Sequence, residues 1–205
     1  LAQELRMTSI MSEDAESLGE WFQRNSRVLS IVGGVVAVVA VSVWFYMRST
    51  EIKRLNADRG LSQAKQSLAA GNRALATTDL QKVATRYVGT PAGTVAAMLL
   101  AQVQYDQAKQ DSGLKVLALY QNARAAGAAL PDVWSLTGDG QLTQGKAVEA
   151  AASYQRAADA TEFAGARAMF MAKAARALMV AGKNPEARAI WEKLYGITGG
   201  KVDES

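Results

Sequence analysis

The chain offers few groups able to do covalent chemistry. Asp132 and Asp139 form one candidate carboxylate pair, the arrangement a general acid and base would use. Lys183 with Glu186, or a serine with a lysine, are combinations that work without imidazole. Among 205 residues there is no Cys and no His. That removes thiol nucleophiles, Ser-His-Asp triads, zinc-finger ligand sets, disulfides and axial haem histidines. Gly138-Asp139-Gly140 lacks the preceding strand that a dinucleotide fingerprint requires. Asp132, Asp139, Lys183 and Glu186 therefore read as helix-end and surface charges. The sequence implies no enzyme, no cofactor, no metal ligand set and no small-molecule substrate.

The elements that would position any site are helices. A mean hydropathy of −0.04 averages two different materials. From Val28 to Met47 the chain runs VLSIVGGVVAVVAVSVWFYM, 20 residues without a charge. At 1.5 Å per residue such a helix is about 30 Å long, the thickness of a bilayer's hydrocarbon core. It is too long for the apolar core of a signal peptide, and cleavage after Ala40-x-Ser42 would strand Val43 to Met47 on the mature terminus. The expectation is a retained transmembrane helix over 28–47. Trp44, Phe45 and Tyr46 would form an interfacial belt at one side, with Trp21 and Phe22 at the other. Ser30, Gly33, Gly34, Ala37 and Ala40 place small residues at helical spacing, where another membrane helix could approach closely.

Residues 1–27 form a short tail with three basic and five acidic residues. Leu1 is not an ordinary initiator, and Met7 and Met11 are candidate internal starts. Ser12 to Asn25 reads as an amphipathic helix: Ser12 is a good N-cap, acids fill the first turn, and Leu18, Trp21 and Phe22 lie on one face. It is either an interfacial foot or an extension of the membrane helix. The remaining residues carry a net charge of +6, but no basic run exceeds Lys53-Arg54. With the cations dispersed there is no patch for nucleic acid. Charge near the span ends leaves the orientation open, because long domains translocate largely regardless of charge.

Residues 48–205 are Ala-rich helical stretches separated by short breaks at Gly71-Asn72, Gly89-Thr90-Pro91, Gln110 to Gly113, Gly127 to Pro131, Gly145, Thr161 to Gly165 and Gly182 to Pro185. Hairpin dipeptides between β-branched runs are missing, so the fold class is all-α. The stretches repeat. Gly145, Ala150, Tyr154 and Ala157 recur as Gly182, Ala187, Trp191 and Leu194, 37 residues later. The same spacing is met by Asp111, Val116, Tyr120 and Ala123, 34 residues earlier. A small residue with an aromatic one turn on permits close helix contact beside a large apolar anchor.

Trp134, Gly138, Gly145, Ala150, Tyr154 and Ala157 resemble the tetratricopeptide pattern. Thr137, Gln141 and Glu162 depart from it where Leu, Tyr and Pro are usual. The expected architecture is a degenerate tetratricopeptide-like array of about four helical hairpins behind the single membrane helix. In such folds the first helix of each pair lines a concave face. Carried over by position, this points at Met98, Tyr105, Asp132, Asp139, Leu142, Met169, Arg176 and Met179 as a Met-rich partner groove.

The whole layout of acidic tail, amphipathic stretch, one membrane helix, basic lead-in and helical pairs resembles the YfgM-type family of bacterial inner-membrane proteins. The resemblance implies a cytoplasmic N-terminus, a periplasmic helical domain, and a role beside the translocation channel and periplasmic chaperones. The reading is a non-enzymatic scaffold or stabilising subunit of a large inner-membrane complex, whose partners are other subunits and the lipid bilayer. Its host would be translocation machinery or a photosynthetic or respiratory assembly. The alternative is a periplasmic chaperone-like factor of the translocon.

Overall fold

A high alanine content and the near absence of β-branched runs after Val43 favour helix throughout. The computed structural model describes residues 26–197, which hold helices and turns and no strand. Trp21, Phe22 and the Ser12 to Asn25 stretch lie outside the described residues. In chain order the helices are α1 (Ser26–Ala69), α2 (Arg73–Arg86), α3 (Pro91–Asp106), α4 (Gln110–Leu117), α5 (Ala123–Ala126), α6 (Leu130–Thr143), α7 (Ala147–Asp159), α8 (Ala164–Val180) and α9 (Asn184–Ile197). Short 3₁₀ turns, Ala118–Tyr120 and Gly127–Ala129, flank α5. The chain divides into two units, Leu1–Glu51 and Ile52–Ser205.

In the first unit, α1 carries the apolar stretch with its side chains outward. Every described residue from 30 to 48 is exposed, including Val38 at 67%, Phe45 at 69% and Tyr46 at 70%. Among the described residues this is the one helix long and apolar enough to cross a membrane. Its polar interruption is satisfied internally, since the Ser42 hydroxyl donates to the Val38 carbonyl at 2.7 Å, as backbone and side chain require in an apolar setting. Ser30, Gly33, Gly34, Ala37 and Ala40 are all exposed, and nothing lies within 4 Å of a Cβ built on either glycine.

In the second unit, four hairpins follow one another: the C-terminal part of α1 with α2, α3 with α4, α6 with α7, and α8 with α9. Their turns are one structure used four times. Gly71, Ala108, Gly145 and Gly182 each adopt a left-handed backbone, with φ of 76°, 56°, 76° and 74°. Each is followed by a residue whose N–H returns to a carbonyl five positions back, as Lys146 does to Gln141 and Lys109 to Gln104. This is a Schellman closure of the preceding helix. The interval between successive turns is 37 residues throughout.

That constant interval corrects the 34-residue alignment of Asp111, Val116, Tyr120 and Ala123. The structural equivalents of Gly145, Ala150, Tyr154 and Ala157 are Ala108, Gly113, Leu117 and Tyr120. Asp111 instead lies exposed in the first turn of α4. The alignment slips because the turn residue here is an alanine, which carries no sequence mark of a left-handed bend. With the frame corrected, every repeat has a small buried residue at the hairpin crossing: Ala76, Gly113, Ala150 and Ala187. A second small set, Ala64, Ala101, Gly138 and Ala175, is buried on the first helices. Small residues at both crossings let the paired backbones approach.

Three helix starts, those of α2, α3 and α5, are set by side chains. Asn72 accepts from the Leu75 N–H at 3.1 Å, Thr90 from Gly93 at 3.1 Å, and Asn122 from Ala125 at 2.9 Å. Each such cap contributes about 1 kcal/mol, and Pro91 occupies the position where a missing N–H is harmless. The first two hairpins and the start of α6 share one apolar core, including Leu80, Leu100, Leu117 and Val133. Tyr154, Ala174 and Leu178 form a second cluster, and Ala157, Phe170 and Leu194 a third.

Candidate protein-binding site

The face of α6 that meets α8 holds the main polar arrangement of the array. Ser135 and Asp139 lie one turn apart on α6, and Lys173 reaches them from α8. Its Nζ donates to Asp139 Oδ1 at 2.9 Å, to Asp139 Oδ2 at 3.1 Å and to Ser135 Oγ at 3.0 Å. Tyr154 of α7 donates its hydroxyl to Asp139 Oδ1 at 2.7 Å, and the Lys173 ammonium stands 5.2 Å from the centroid of the Tyr154 ring. Three helices from two successive repeats are thereby pinned in register. The ion pair is partly exposed, 32% at Lys173 and 41% at Asp139, so its own contribution is about 1 kcal/mol or less. Its role is geometric: one ammonium on α8 meets three acceptor atoms on α6.

Two tyrosines fit beside this network because glycines make room. A Cβ on Gly138 would lie 2.6 Å from the Tyr154 ring, and one on Gly113 or Gly140 would collide with Tyr105. Tyr105 donates to the Leu136 carbonyl at 3.2 Å. Burial pushes the Tyr105 phenol pKa upward, helped by the charge of Asp139. Burial and the hydrogen bond to Asp139 do the same for Tyr154. Both remain neutral donors well above physiological pH.

The groove residues expected from sequence separate into groups. Met98 and Tyr105 are half-buried and packed against the first core, and Leu142 against the second. Asp139 belongs to the polar network. Asp132 and Met169 border a cleft of about 460 Å³ with Phe163 and Phe170. Arg176 and Met179 are exposed on α8. Sequence reasoning misses Lys173, which carries the network. Its signal is a single charge between Ala172 and Ala174, on a helix whose neighbouring positions are alanine. Lys183 and Glu186 form an exposed ion pair at 3.0 Å, a surface role as read from the sequence.

The fold is shared with solved structures. The crystal structure of MamA protein superimposes with a TM-score of 0.57 at 15% identity, over 73% of this chain and 77% of that one. The nearly identical TPR-like repeats of a Podosopora anserina protein named for kinesin light chain give 0.55 at 17% identity, over the same shares. No curated protein sequence matches the chain. Residues 53–177, more than half of the chain, match the tetratricopeptide repeat-like domain. Four left-handed turns at one interval, small residues at every hairpin crossing and this match agree: the chain belongs to the tetratricopeptide repeat-like family, an all-helical fold whose work is contact with other proteins.

Proposed function

We propose that this protein is a membrane-anchored scaffold that holds partner proteins at a bacterial inner membrane, with residues 28–47 as a retained span and residues 48–205 as the binding domain. The observation that carries this reading is the outward-facing apolar surface of α1. Val, Ile, Trp, Phe and Tyr side chains from 31 to 46 are 51–70% exposed, a surface that water does not tolerate over such a length and that lipid does. An interaction fold follows it in the same chain. The resemblance to the YfgM-type family favours a cytoplasmic tail of residues 1–27 and a periplasmic array. On that reading Trp44, Phe45 and Tyr46 sit at the interface, and Gly33, Ala37 and Ala40 form the packing face within the bilayer.

Alkaline extraction of membranes from cells expressing the full chain tests the anchor. Wild type stays in the pellet, whereas Val38→Arg, which adds about 3 kcal/mol at mid-span, moves a large share to the supernatant. Wild type in the supernatant, or a mature N-terminus beyond Ala40, defeats the reading. Reporter fusions at the C-terminus then set topology. Native gels with mass spectrometry show either a fixed partner set, as a scaffold subunit requires, or the mixed clients of a chaperone-like factor.

A further inference from the structure

The segment from α5 to the start of α6 stands between two clefts. Ala128 lines both of them. On one side, a cleft of about 360 Å³ is bordered by Arg54 and Arg124. On the other, the cleft of about 460 Å³ is bordered by Asp132 and Glu162. Neither the two guanidinium groups nor the two carboxylates have an ionic or hydrogen-bonding partner among the described residues. Beside the carboxylates, Phe163 is 78% and Met169 52% exposed. Exposed apolar side chains with charged groups around them suit a surface that meets another protein.

The charges are arranged as a self-complementary pair. Basic and acidic clefts share one wall, so a two-fold axis through that wall carries the basic cleft of one copy onto the acidic cleft of another, twice over. An isologous interface needs this kind of surface. We infer that this ridge is an interface between two copies of the chain. Arg54 and Arg124 of each copy face the Asp132 and Glu162 carboxylates of the other, and Phe163 and Met169 supply apolar contact. The inference rests on the helical unit alone and does not depend on the membrane reading. Charge complementarity fixes partner and register, while the apolar side chains supply affinity.

The test measures molar mass by light scattering for the full-length chain in mild detergent, across protein and salt concentration. Two variants make each chain one-signed at this surface: Asp132→Arg with Glu162→Arg, and Arg54→Asp with Arg124→Asp. Wild type is expected to dimerise, with a dissociation constant that rises with salt. Each variant alone should dimerise about tenfold or more weakly. An equimolar mixture of the two should restore the dimer, because every cross-copy pair is then opposite in sign. Met169→Glu, which leaves the four charges in place, should also weaken dimerisation. A monomeric wild type overturns the inference, and so does a dimer that neither charge variant weakens or a mixture that stays as weak as its components.

Discussion

Ala108 is the one non-glycine residue at positive φ among the described residues. A side chain with a Cβ loses about 1–2 kcal/mol in that conformation, and a glycine there gives back about 0.4–1 kcal/mol through unfolded-state entropy. Ala108→Gly should therefore stabilise the array by about 0.5–1 kcal/mol, measured by urea unfolding; an unchanged or lower midpoint rejects the account. Tyr120 is a second residue with a definite expectation. It is fully buried, donates to the Ala84 carbonyl at 2.6 Å, and burial raises its pKa from 10.0 to about 12. The folded state therefore holds this proton more tightly than the unfolded chain does. Stability is independent of the group below about pH 10 and falls as pH rises from there towards 12. Tyr120→Phe should lose about 1 kcal/mol at neutral pH and show a shallower decline above pH 10. An identical pH profile in the two proteins would contradict this.

Between helices, the decisive contacts are those that leave no room. Gly138 on α6 faces the ring of Tyr154 on α7 so closely that a methyl group must push it away, and Tyr154 is also held by Asp139. Gly138→Ala should destabilise by about 1–3 kcal/mol through overpacking. It should also weaken the Lys173 network, which a drop in amide protection on α8 would report. Unperturbed exchange with full stability would show that the hairpin yields easily. Gly138, Ala150 and Tyr154 are legible in sequence because both helix period and residue size mark them. The Lys173 pairing is not, since two residues 34 apart meet only after two turns have closed. The turn of the second hairpin is hidden for a related reason: composition marks glycine turns, and Ala108 turns without one.

Across the whole molecule, the all-α class, the hairpin order and the repeat are legible because each hairpin encodes its own crossing and closure. The register between hairpins is less so. The second hairpin bends after Leu117, where Tyr120 fills the position held by Val83, Ala157 and Leu194 in its sister repeats, and no local propensity announces that bend. The even interval has a consequence for how the chain is made. Even the far-reaching hydrogen bonds, Lys173 to Ser135 and Tyr120 to Ala84, cross only 38 and 36 residues. Each is about one repeat long. A chain built from such short-range contacts pays little loop-closure entropy at any step and has low contact order. Each hairpin can therefore settle on the one before it while the next is still being synthesised, and a helical unit emerging N-terminus first never has to wait for its far end to begin folding.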